Sequence, residues 1–142
     1  MNISEQDLLN TILAFDFGDK RIGVAIKPAN ESSAEPLLTL QNNSDLFKNV
    51  GELLELHNPD LVVVGRPRNL DGESTAQTVK AEQFAMSLAG RYNNKVELQD
   101  EALSSEQAKN RIPKALASKS RELIDQYAAC VILENYLQEH QD

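Results

Sequence analysis

The sequence predicts an α/β fold built on a five-stranded mixed sheet, an antiparallel meander of three strands plus two parallel strands, flanked by helices. Two patterns carry this prediction. Three short apolar runs come first, and the rest of the chain alternates amphipathic helical spacing with further short runs, closing on helices. In addition, 41% apolar and 25% charged residues are the proportions of a chain that buries a core. With 142 residues and no repeat, low-complexity tract or Pro/Gly linker, residues 1–142 read as one domain.

The elements follow in order. Ile12 to Phe17 and Ile22 to Ile26 are apolar runs separated by the turn residues Gly18-Asp19-Lys20, which predicts an antiparallel hairpin. Pro36 to Leu40 extends the meander, and its proline suits an edge position. Ser44 is an expected N-cap, with Asp45 in the first turn of a helix whose Leu46, Phe47, Val50, Leu53, Leu54 and Leu56 recur at helical spacing until Pro59. Leu61 to Val64 is apolar on both faces, as a strand buried between two layers must be, and Gly65 is expected to end it. A loop from Arg66 to Glu73 leads to Ser74, which with Gln77 forms a candidate capping box for a helix reaching about Tyr92. Val96 and Leu98 alternate with Glu97 and Gln99 as a half-exposed strand. Ser104 with Gln107 then opens a short helix that Pro113 interrupts, and a last helix runs from about Ser120 to Leu137 with a wide apolar face.

Composition narrows the functional classes. Fourteen Lys and Arg against 22 Asp and Glu leave a net charge of −8, which opposes non-specific attachment to nucleic acid or to an anionic membrane. The longest apolar run, Tyr127 to Leu133, is far too short to span a bilayer, and Lys20 is the first basic residue, so no secretory signal is expected and the cytoplasm is the expected location. Cys130 is the lone cysteine and lies within that run, the place of a small buried apolar residue. His57 and His140 read as surface residues, and Ser104 and Ser105 as capping rather than nucleophilic residues.

The candidate chemistry is carried by carboxylates. Asp16 interrupts an apolar strand, where an unpaired charge is costly, although a turn-capping role ahead of Gly18 is an alternative. On a helix Asp125 shares a stripe with Ala129, Ile132 or Leu133, and Tyr136, although it also suits the positive end of the helix dipole. Ala128 and Ala129 beside it would allow a close approach to the sheet. Asp100 and Glu101 end the last predicted strand at the carboxyl edge, where open α/β sheets place ligands, and solvated loop residues are the alternative. Carboxylates from a first strand, a later strand end and a last helix converging on one point would hold one or two Mg²⁺ or Mn²⁺ ions through hard oxygen ligands, the arrangement that drives phosphodiester cleavage.

The motifs Asp16-Phe17-Gly18, Lys20-Arg21-Ile22-Gly23-Val24-Ala25, Val62-Val63-Val64-Gly65 with Pro67, Asn69, Asp71 and Gly72, Asp100-Glu101, and Ile124-Asp125 with Ala128-Ala129 together resemble the YqgF family. The match spans about Leu13 to Leu137. This resemblance implies an RNase H-like fold and a hydrolase, a metal-dependent endonuclease processing the 5′ end of precursor 16S ribosomal RNA in ribosome biogenesis, or alternatively a Holliday junction resolvase acting on four-way DNA. It also carries the catalytic and metal-holding roles onto Asp16, Glu101 and Asp125, selecting Glu101 over Asp100. Two departures stand out: Ala102 where the family commonly has arginine, and Arg68 where it usually has an apolar residue.

Basic residues supply a nucleic-acid contact despite the net charge. Lys109, Arg111, Lys114, Lys119 and Arg121 fall in a stretch without an acidic residue, and with Lys20, Arg21, Arg66 and Arg68 they are candidates for gripping phosphates. A solvated helix face is the alternative, and no aromatic residue interleaves the stretch for base stacking. The expected partners are structured RNA, namely the ribosomal precursor, or branched DNA, with the ribosome as a further partner and no membrane. A different class also fits: a non-catalytic ribosome- or transcription-associated nucleic-acid-binding adaptor, favoured by Ala102 and the charge of −8. An ATP-binding module with an Asp-Phe-Gly phosphate loop needs two such domains, more than this length holds.

Overall fold

The computed structural model describes residues 3–68, 71–101 and 120–140. Its elements are α1 (Glu5–Leu9), β1 (Ile12–Phe17), β2 (Arg21–Lys27), β3 (Glu35–Gln41), α2 (Leu46–His57), β4 (Leu61–Pro67), α3 (Ala76–Arg91), β5 (Val96–Glu101) and α4 (Arg121–Glu139). The strands form one sheet in the order β3-β2-β1-β4-β5. β1 runs antiparallel to β2 and β2 to β3, whereas β4 is parallel to both β1 and β5. This is the mixed sheet that the hydrophobic pattern predicts, with the Pro36 strand at one edge.

The pleat sorts each strand's residues between two layers. Leu13 and Phe15 of β1, Ile22 and Val24 of β2, and Val62 and Val64 of β4 join Val50, Leu53 and Leu54 of α2 and Phe84 and Leu88 of α3 in one core. Ile12, Ala14, Ala25, Leu61 and Val63 face the other way, against Ala129, Cys130, Ile132, Leu133 and Leu137 of α4. Cys130 is fully buried there, the place expected of it. Among the described residues no helix is long and apolar enough to cross a membrane.

Several boundaries differ from expectation, each for a local reason. β4 does not stop at Gly65: Arg66 and Pro67 continue it, because their backbones still pair with Asp100 and Glu101 of β5. The α3 cap is Thr75 rather than Ser74, in a box in which the Thr75 hydroxyl accepts from the Thr78 amide and the Thr78 hydroxyl from that of Thr75. Gln77 instead reaches Asp19 in the β1–β2 turn, at 3.0 Å. At α2 the N-cap is Asp45, whose side chain makes no capping bond, and the Asn43 carboxamide accepts from the Asp45 amide at 2.9 Å. The α1 helix escapes sequence reading because five residues are too few for a period, although Ser4 caps it by accepting from the Asp7 amide. β2 runs one residue further than expected, to Lys27, whose fully buried ammonium donates to the carbonyls of Leu8, Pro28 and Glu31 at 3.3, 2.7 and 3.0 Å. The short helix expected from Ser104 to Pro113 lies outside the described residues.

Candidate active site

Because β1, β4 and β5 are parallel, their carboxyl ends meet at one edge of the sheet, and the antiparallel β2 begins there. Asp16 lies one residue from the end of β1, Glu101 ends β5, and Arg21 opens β2. Asp16 follows the parity of Ile12 and Ala14, so its side chain leaves the sheet on the α4 side.

Two glycines clear the space around it. Gly23 is the cross-strand partner of Asp16 on β2, and a Cβ there would lie 1.9 Å from the backbone oxygen of Asp125. Only the absent side chain lets α4 come so close, and the contact fixes Asp125 beside Asp16. On the other flank is Gly65 of β4, where a Cβ would meet Ile132 of α4 at 2.4 Å and the carboxyl carbon of Glu101 at 3.6 Å. Sequence reasoning looked to Ala128 and Ala129 for the close approach. Both are buried, but the tightest contact is made by a glycine of the sheet, and the available signal was a glycine inside an otherwise apolar strand.

Electrostatics record the convergence. The Asp16 carboxyl is pushed well above the ordinary carboxylate range, first by burial, then by the negative charge of Glu101 and that of Asp125. Glu101 is itself 9% exposed. Asp125 accepts a 2.7 Å hydrogen bond from Nε of Arg21, both side chains about a quarter exposed.

Parity also separates Asp100 from Glu101. Asp100 points to the α3 side, where it accepts from Nε of Arg66 at 2.5 Å and from Nε of Arg68 at 3.1 Å. The Arg66 hydrogen bond is the main reason its carboxyl lies below the ordinary range. Arg66 also reaches Glu82 of α3 at 3.3 Å. The candidate phosphate contacts therefore divide. Arg21 belongs to the Asp16 side, and Arg66 and Arg68 gather around Asp100 on the opposite face. Lys20 and Arg121 are exposed, whereas Lys109, Arg111, Lys114 and Lys119 lie outside the described residues.

As placed, no three acidic, histidine or cysteine side chains among the described residues grip a common point. The donor set nevertheless fits a hard divalent cation: the groups that meet at Asp16 are carboxylates, and their mutual repulsion is what a cation there would relieve.

A five-stranded sheet of order β3-β2-β1-β4-β5, with acidic groups at the carboxyl ends beneath its last helix, defines a protein of RNase H-like fold. Two solved structures share the architecture. The chain is similar to Thermus thermophilus RuvC in complex with a Holliday junction substrate, with a TM-score of 0.57, 14% identity and coverage of 91% of this chain and 95% of that one. It is equally similar to the fowlpox virus Holliday junction resolvase, at 0.58, 15%, 91% and 99%.

The chain belongs to the RuvX family, described as "Holliday junction resolvase", whose model matches residues 10–139. A relative from Nitrosococcus oceani is 42% identical over 134 residues, covering 92% of this chain and 88% of its own. One from Hahella chejuensis is 37% identical over 136 residues, covering 93% and 86%. Both carry the name "Putative pre-16S rRNA nuclease". The resemblance read from the motifs and the family match agree.

Proposed function

We propose that this chain, acting as one domain of residues 1–142 in the cytoplasm, is a divalent-metal-dependent endonuclease that cleaves phosphodiester bonds at the 5′ end of precursor 16S ribosomal RNA. The observation that carries this reading is the meeting of Asp16, Glu101 and Asp125 at one edge of the sheet, close enough for the last two to raise the proton affinity of the first. Family membership and the names of the relatives support the reaction class and the substrate.

In this reading Asp16, Glu101 and Asp125 hold Mg²⁺ or Mn²⁺. When bound, the cation supplies water activation and stabilisation of the leaving oxygen. The chain's own part is positional. Desolvation and the neighbouring Glu101 and Asp125 carboxylates raise the proton affinity of Asp16, the repulsion that a cation held there would relieve. Gly23 and Gly65 let the last helix seat directly on the strands, which brings the Asp125 backbone against β2 beside Asp16 and Ile132 against β4 beside Glu101. Among the described residues Lys20 precedes β2, Arg21 opens it and Arg121 opens α4, cations near the acids, and Arg66 and Arg68, ordered by Asp100, offer planar guanidinium groups to more distant phosphates.

The test is cleavage of a precursor 16S RNA fragment, with a four-way DNA junction as competitor substrate. Wild type is expected to cut the RNA only with Mg²⁺ or Mn²⁺, and Asp16→Asn, Glu101→Gln and Asp125→Asn to lose more than about 100-fold, since even groups behind metal ligands cost 10–100-fold. A preference for the junction would transfer the reading to the resolvase, favoured by the family's description. Cleavage by neither, with ribosomal subunits bound equally by wild type and Asp16→Asn, would make the chain an adaptor.

A further inference from the structure

Arg21 sits where a cation ligand would be expected to be open. Its Nε is 2.7 Å from Oδ2 of Asp125, a helix residue 104 positions away in the chain. The Asp125 backbone is seated directly on β2, so close that even a Cβ at Gly23 would overlap its carbonyl oxygen. The arginine is the adaptable member of the pair. It opens β2 at the edge of the sheet, its side chain is 24% exposed, and only one of the five guanidinium N–H donors is engaged among the described residues. A single hydrogen bond through Nε between partly exposed groups is weak, whereas a guanidinium that turns two of its N–H groups onto a phosphate grips it through two parallel bonds.

We propose that Arg21 is a displaceable counter-ion for Asp125: it occupies the carboxylate while the site is empty and swings onto a substrate phosphate when nucleic acid binds, freeing Asp125 for the divalent cation. This rests on the reading of Asp16, Glu101 and Asp125 as the metal-holding set. Two positive charges cannot share the Asp125 carboxylate without repulsion, so a guanidinium left in place opposes the cation and one drawn onto phosphate does not. Cation and nucleic acid then bind cooperatively, each tightening the other by the same factor. Arg66 and Arg68 do not take this part, because the carboxylate they share is Asp100, on the opposite face of the sheet.

The experiment measures Mn²⁺ binding to the full chain from the spectroscopic signal of free Mn²⁺, with and without an all-phosphorothioate RNA hairpin that resists cleavage. Wild type is expected to bind Mn²⁺ about tenfold more tightly when the hairpin is present. Arg21→Gln is expected to bind about tenfold more tightly than wild type without the hairpin, and to gain less than about twofold from it. Thermal unfolding checks that the variant is folded. Should it not fold, Arg21→Lys is read in its place: it keeps a competing charge but loses the planar fork, so its hairpin-free affinity should match wild type and its gain from the hairpin should fall. Arg21→Gln binding Mn²⁺ no more tightly than wild type, or either variant keeping the full gain, overturns the role of Arg21 alone. Equal Mn²⁺ binding by wild type and Asp16→Asn overturns the metal-holding set itself, and the proposal with it.

Discussion

The two faces of the sheet are built from alternate residues of the same strands, yet they solve different problems. Toward α2 and α3 the contacts are large and apolar: Phe84 meets Phe15, Phe17 and Phe47 with ring centroids 5.8, 4.9 and 6.0 Å apart. Charge on that side is neutralised at the rim, where Asp100 binds Arg66 and Arg68. Toward α4 the sheet also buries Ile12, Leu61 and Val63, but beside the acids it turns small, with Ala14 and Ala25 buried and Gly23 and Gly65 touching the helix directly. Small residues bring one helix down onto the strands and leave the carboxylates at its end crowded. One face is packed by volume out to its charged rim, and the other gives up volume beside the acids to hold charge close together.

This contrast is open to tests of decreasing size. The largest effect is expected on the apolar face, where Phe15→Ala removes a fully buried ring and should cost about 3–5 kcal/mol in urea unfolding. A loss below about 1 kcal/mol would mean that this face is not the stabilising one.

On the small-residue face the damage should come from adding atoms. Gly23→Ala sets a methyl against the Asp125 backbone, which cannot yield without lifting α4, and should cost about 3 kcal/mol, the upper end for overpacking. Gly65→Ala meets first the terminal methyl of Ile132, which can rotate away, so about 1 kcal/mol is expected. Similar losses at the two positions would show that the backbone contact has no special weight.

Asp16→Asn should act in the opposite direction. Folding raises the Asp16 proton affinity, so the favourable contribution of the protonated form is fully present below its ordinary value of 3.8 and is lost as pH rises through the raised one. Wild-type stability should therefore fall across that window and that of the asparagine variant should not. At pH 7 the variant should be more stable by about 1 kcal/mol, the scale of a buried polar group short of favourable partners. Added Mn²⁺ should raise the wild-type melting temperature and leave the variant's unchanged. Parallel pH profiles for the two proteins would contradict the crowding.

The smallest change is expected at the rim of the other face. Asp100 is exposed, with its side chain at 54%, so Asp100→Asn should cost no more than about 1 kcal/mol despite losing two arginine contacts, and less at high salt.

Much of the fold was legible because apolar runs, turn residues and helical spacing are local, and burial then decides which runs become strands. The order of secondary elements and the edge position of the Pro36 strand follow from that. Asp16 and Asp125 stood out as charges in apolar settings, a signal that needs no contacts. Residue chemistry alone left Asp100 and Glu101 equivalent, and the family resemblance chose between them. The end of β4 was misplaced because a glycine reads as a stop, whereas pairing with β5 carries the strand on to Pro67.

Local pattern thus determined the composition of the two layers and the anomalous acids. Register and helix placement decided the rest: which side of the pleat each acid faces, that Gly23 admits the Asp125 backbone, and that Arg21 and Asp125, 104 residues apart, form an ion pair. The physical reason is that a side chain's face depends on the parity of its strand position relative to neighbouring strands. Close approach, in turn, depends on atoms missing from a partner that the local sequence does not name.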